Sequence, residues 1–157
     1  MKLSTRVDIE APIEYVFSVL TDFASLERQA MRRGIEVTRT DTAPARGAAW
    51  DVVLDYRGKT RAISARVVEF ETPEHLLVRS ETSGVQMLLS VELLTLSRSH
   101  TRMMLALDMR AQTLPARVLL QSMKFGKNKL TRKLSTRVGS WGKDIEGRFC
   151  AGQTQLT

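Results

Sequence analysis

The chain has 157 residues, 43% apolar and 26% charged, with a net charge of +7 and a single cysteine. That length holds one domain with a real core and is short for two, and the composition is that of a globular chain, not a disordered one. No apolar run approaches membrane-spanning length, the opening MKLSTRVDIEAP lacks the apolar core of a signal peptide, and Cys150 alone cannot close an internal disulfide. A cytoplasmic protein is the expectation. The charge is concentrated: residues 115–148 hold nine Lys and Arg against Asp144 and Glu146, while the remainder is balanced.

Leu3, Thr5, Val7 and Ile9 alternate with Lys2, Ser4, Arg6 and Asp8, the period-two pattern of a strand with one buried face. Ala11-Pro12 ends it, since proline brings no ladder donor and suits a helix start. IEYVFSVL and DFASLERQAM then read as two short helices, with Thr21 or Asp22 capping between them. Their inward positions are Val16, Phe17, Leu20, Phe23, Leu26 and Ala30.

From Ile35 to Ala111 strand follows strand. In WDVVLDY, Trp50, Val52, Leu54 and Tyr56 share a face, and Arg57-Gly58 marks a tight turn. TRAISARVVEF has an ambiguous phase; Ile63, Ala65 and Val67 are placed inward. A turn at Thr72-Pro73-Glu74-His75 leads into LLVRSET, where Val78 and Ser80 face the interior. Ser83-Gly84 turns the chain into VQMLLSVELL, with Val85, Met87, Leu89, Val91 and Leu93 inward. After SRSH, TRMMLALDMRA directs Met103, Leu105, Leu107 and Met109 inward. Short strands joined by hairpin-length turns predict one antiparallel sheet.

After Pro115 the period changes. Leu119, Met123, Leu130, Leu134, Val138, Trp141 and Ile145 recur at helical steps, predicting one long amphipathic helix with a bend at Gly126. One domain is expected over residues 1–148, with 149–157 a loose end. The hexapeptide KLSTRV stands at both 2–7 and 133–138. Its leucine and valine are four apart, a spacing that suits both the strand and the helix period, so flanking context decides and the repeat is coincidence.

The stretch VDIEAPIEYVFSVLTDF resembles the opening of the START/Bet v 1-like (SRPBCC) superfamily, and VVEFETPEHLLV resembles its strand–Pro-Glu–strand corner. The likeness covers roughly residues 2–146 and rests on the order of the elements more than on either motif. It implies an α+β helix-grip fold: a curved antiparallel sheet of about six to seven strands wrapped around a long C-terminal helix, with two short helices after the first strand. Members include lipid carriers, plant hormone binders, ubiquinone-binding proteins, and polyketide cyclases and aromatases, so the fold does not choose the activity.

A sheet gripping one helix leaves a hollow that side chains fill or a ligand occupies. The inward strand residues, with Leu119, Met123, Leu130 and Leu134 from the helix, are the candidate walls. The methionines adapt to irregular shapes, and Trp50 and Trp141 read as packing residues. Tyr56, Arg61 and Ser80 are the candidate polar contacts, Arg61 because its forked donors suit a carboxylate or phosphate. No catalytic set stands out: His75 and His100 fall in turns, and metal-ligand spacings, glycine-rich phosphate loops and the Gly-x-Ser-x-Gly elbow are absent from the sequence. No cofactor or metal is expected.

The leading expectation is a non-enzymatic binder or carrier of a small hydrophobic or amphipathic molecule, such as a lipid, isoprenoid or polyketide. A polyketide cyclase/dehydratase using the same cavity is one alternative. A membrane-surface or macromolecule adaptor is the other, using a basic face of Lys129, Arg132, Lys133, Arg137 and Lys143. A solvated outer face is the plainer reading of those residues, and without interleaved aromatics no specific nucleic acid is expected.

Overall fold

The computed structural model describes residues 1–56 and 58–156, with side chains described up to residue 152. The alternation of the first segment becomes β1 (Lys2–Ile9), with Leu3 and Ile9 buried. Extended Pro12 opens α1 (Ile13–Leu20). Of the two candidate caps, Asp22 starts α2 (Phe23–Arg32), its Oδ1 accepting the Ser25 N–H at 3.2 Å. Six strands follow: β2 (Glu36–Asp41), β3 (Ala49–Tyr56), β4 (Lys59–Glu71), β5 (His75–Thr82), β6 (Val85–Ser97) and β7 (His100–Ala111). The chain ends in α3 (Leu114–Lys124) and α4 (Lys127–Leu156).

The seven strands form one antiparallel sheet in the order β1-β7-β6-β5-β4-β3-β2. β1 and β2 are therefore opposite edges, and α1 and α2 span the gap between them. Register brings inward apolar residues into rows across the sheet. Val67, Val78, Leu89, Leu107 and Leu3 stand opposite one another in successive strands. The next row runs Phe70, Leu76, Val91, Leu105 and Thr5. A register shift between Val67 and Glu69 explains the mixed phase of β4. Before it the odd positions, including buried Val67, face in; beyond it Phe70 does, because a bulge inserts one residue and resets the alternation.

Between β5 and β6 the turn residues Ser83 and Gly84 have φ of 47° and 78°, the left-handed pair that matches strand twist in a tight hairpin. Gly84 also meets the start of α3. A side chain there would press on Thr113 at 2.6 Å, and the Gly84 carbonyl accepts the Gln112 N–H at 2.7 Å. Arg57, expected in the β3–β4 turn, lies outside the described residues.

The C-terminal half departs from the expected single helix. Phe125 and Gly126 separate α3 from α4, at the glycine where a bend is expected. Leu119, expected inward, is half exposed because α3 buries Ala116 and Leu120 instead. α4 runs on past residue 149 to Leu156, and the Phe149 ring lies 5.0 Å from that of Tyr15 on α1.

α4 lies along β1. Val138 and Ile145 are buried there, and Gly142 sits so close that an added Cβ would stand 3.2 Å from Val7 and 3.3 Å from Ile9. Gly142 thus permits an approach that any side chain would obstruct. The seam carries polar links as well. Thr5 and Ser135 share a hydroxyl hydrogen bond of 2.8 Å, and Glu146 Oε1 accepts the Glu10 N–H at 3.0 Å. The core divides in two: one cluster under α1 and α2 around Ile9, Phe17, Met103 and Ile145, another under α3 around Leu3, Val85, Met109 and Leu120.

Candidate functional site

Seating α4 on β1 at the sheet edge fixes what the neighbouring helix stripe does. Arg137, Trp141, Asp144 and Arg148 recur at steps of four, three and four, so they share one side of the helix, next to the buried stripe of Val138 and Ile145. That side borders a cavity of about 1080 Å³ enclosed by the concave sheet, α2 and α4. Its floor is aliphatic, with Val52, Val67, Val78, Leu89, Val91 and Leu105. Phe23, Leu26, Glu27 and Ala30 of α2 form the facing wall. The mouth is polar and open to solvent, where exposed Arg33, Arg137, Ser140 and Arg148 stand. Among the described residues Arg33 and Arg137 form no ion pair, whereas Arg148 bonds Asp144 at 2.9 Å. Small-molecule pockets generally combine such an apolar body with a few placed polar groups.

One polar cluster is built into the wall. Glu27 Oε1 accepts the Trp50 indole N–H at 2.6 Å and an Arg39 guanidinium N–H at 2.9 Å. Arg39 also donates to the carbonyls of Asp41 and Ala43 and lies over the Trp50 ring at 4.8 Å. The Trp50 hydrogen bond, with Arg39 beside it, holds the Glu27 carboxyl below its ordinary value of 4.5, while burial acts in the opposite direction. A group with a depressed folded pKa stabilises the fold above its unfolded pKa, and that contribution is lost as pH falls through the folded value. Glu27→Gln is therefore expected to cost about 2 kcal/mol at neutral pH. The gap to the wild type should close on acidification below the ordinary glutamate pKa, as urea unfolding followed across an acid series will read.

The candidate residues do not all meet at one place. Trp50, Val52, Val78, Leu89, Val91, Met103 and Leu105 line the cavity. Met87, Leu107, Met109, Met123 and Leu130 belong instead to the cluster beneath α3, and Leu134 packs against both core clusters. Leu54, Tyr56, Ile63 and Ser80 lie on the same sheet face beyond the cavity, and half-exposed Leu119 is on the outside of α3. The candidate polar contacts Tyr56 and Arg61 do not meet at the cavity. β3 register sets Tyr56 opposite Lys59 and Arg61 opposite Leu54; the Arg61 guanidinium still lies 5.7 Å from the Tyr56 ring, but neither residue borders the cavity.

Arg137, grouped by sequence with the outer basic face, stands at the mouth, while Lys129, Arg132, Lys133 and Lys143 are exposed elsewhere on α4. Glu27, Arg33, Asp144 and Arg148 were absent from the expected site. The signal available for the last two was their i,i+4 spacing in phase with Trp141 and Arg137. The histidines are remote: His75 Nε2 is 2.7 Å from Glu69 Oε2, and His100 Nδ1 bonds Ser97 at 3.0 Å. Among the described residues no group of three or more His, Cys, Asp or Glu side chains is placed to hold a metal ion. Nor is any described helix long and apolar enough to cross a membrane.

A curved sheet closed over by a long terminal helix, with a cavity between them, defines a helix-grip protein. No family model matches the sequence, and no curated protein matches it. Solved structures do. A protein from Thermus thermophilus is 18% identical and aligns over 97% of this chain and 99% of its own at a TM-score of 0.67. A START superfamily protein from Mycobacterium smegmatis is 15% identical, with 99% of each chain covered and a TM-score of 0.61. The Bet v 1 allergen Ara h 8.0201 is 12% identical, with 96% and 98% covered and a TM-score of 0.62. The chain has the START/Bet v 1-like fold.

Proposed function

We propose that the protein binds or carries a small amphipathic molecule, a lipid, isoprenoid or polyketide-like compound whose free end is anionic. The observation that carries this reading is the cavity of about 1080 Å³, aliphatic along its floor and edged by Arg33, Arg137 and Arg148 at its mouth. The fold is one that commonly holds hydrophobic ligands. Burial of ligand surface supplies the affinity, at about 25 cal/mol per Å² before ordering costs. Guanidinium groups at an exposed mouth select a carboxylate or phosphate end by charge-assisted hydrogen bonds.

Binding is favoured over a cyclase reaction by the state of the carboxylates. Glu27 and Asp144 both border the cavity, and each is bonded to an arginine. Glu27, held ionised below its ordinary pKa, is a weaker proton acceptor than a free glutamate. Calorimetric titration with oleate is the test, alongside native mass spectrometry of gently purified protein. Saturable one-to-one binding, at a Kd of about a micromolar or lower, is the expected result. Failure of oleate and its neutral alcohol to saturate the protein, with no co-purified small molecule, would defeat the reading.

A further inference from the structure

The outer side of α3 carries a feature the cavity does not explain. Toward the sheet this helix buries Ala116 and Leu120, with Met123 packed beside them. On the opposite side Leu114, Val118 and Phe125 follow at steps of four and seven and form a second apolar ridge, interrupted only by exposed Gln121. These residues are 73%, 62% and 95% exposed. Half-exposed Leu119 extends the patch around the helix. A helix apolar on both sides, with one side facing water, has an unmet partner on that side.

The charge around the ridge limits what that partner is. No acidic residue occurs between Leu114 and Lys143. Arg117 and Lys124 flank the ridge, and Lys127 and Lys129 follow at the start of α4. All four are exposed, and among the described residues none forms an ion pair. A second copy of the chain would bring the same cations against these, which opposes pairing. The ridge is also convex, ending on Phe125 where α3 and α4 break. It suits a yielding apolar medium beneath a layer of anions better than a preformed protein groove.

We propose that α3 is a membrane-docking element. It lies in the plane of an anionic bilayer, with Leu114, Val118 and Phe125 entering the acyl boundary while Arg117, Lys124, Lys127 and Lys129 contact lipid phosphates. An interfacial amphipathic helix gains affinity from buried apolar area and from attraction to anionic headgroups together. This site lies on the far side of α3 from the core and is independent of what the cavity holds.

Co-sedimentation of the full chain with vesicles provides the test. Vesicles of phosphatidylcholine and phosphatidylserine in equal parts are expected to retain the protein, and phosphatidylcholine alone is not. Val118→Ser combined with Phe125→Ser should weaken retention by about tenfold or more. Lys124→Glu combined with Lys127→Glu should weaken it by about tenfold, and added salt should do the same. The altered side chains are solvent-exposed, and an unchanged melting temperature will show that folding is intact. The proposal is overturned if wild-type protein ignores both vesicle types. Equal retention of the Val118→Ser, Phe125→Ser variant would likewise overturn it, leaving an electrostatic contact without insertion. A dimer that Phe125→Ser disperses in velocity sedimentation, with no vesicle binding, would assign the ridge to self-association instead.

Discussion

Ile145→Ala is expected to lower the unfolding free energy by about 3 kcal/mol. Ile145 is fully buried on α4 and belongs to the same apolar cluster as Ile9, Met103 and Val138. Truncation removes methyl groups from contact and leaves a void that the surroundings fill only in part. Beside it the backbone is already as near to β1 as Gly142 allows, so the seam has little room to collapse. Against a typical total of about 5–15 kcal/mol the loss is large. Urea unfolding should show a lower midpoint with an unchanged slope, and Ile145→Val should cost only about 1 kcal/mol. A loss for the alanine variant below about 1 kcal/mol would contradict a helix firmly seated on the first strand.

Charge reversal at the mouth should act on ligand and leave the fold in place. Arg137→Glu with Arg148→Glu is expected to weaken oleate binding by about a hundredfold, since charge-assisted hydrogen bonds contribute about 1.5–3 kcal/mol and each tenfold in affinity is about 1.4 kcal/mol. The lower end of that range applies because both residues stand exposed to solvent, where screening is strong. Oleyl alcohol, which offers the same chain without the charge, should change by less than about threefold. Equal loss for both ligands would mean that the arginines shape the mouth and do not recognise an anion. No loss for either would place the ligand's polar end elsewhere.

Much of the architecture was legible because each element advertised its own period. The alternation in β1, β3, β6 and β7 placed their inward faces correctly, since a strand's side chains must alternate. The phase of β4 was obscure for an identifiable reason: the bulge after Val67 interrupts the alternation midway. The C-terminal stretch reads as one helix bent at Gly126 because Leu119 and Leu130 fit a continuous helical step; the structure ends one helix and starts the next at that point. Helix propensity alone disfavours a glycine at 142, whereas packing against Val7 and Ile9 gives the absent side chain its purpose.

The amino-acid order by itself determined a START/Bet v 1-like fold and a sheet with an aliphatic interior, because hydrophobic period and turn chemistry are local properties. Which inward residues border empty space is not local. Met87 and Met109 share a face and a period with Leu89 and Val91, yet they are filled over by α3 while the others stand open under α4. The seating of α4 on β1 also brings Arg137 and Arg148 to the same mouth as Arg33, which lies more than a hundred residues earlier in the chain. Only the tertiary structure decided that meeting, because it depends on where rigid elements come to rest against one another and not on the preference of any segment alone.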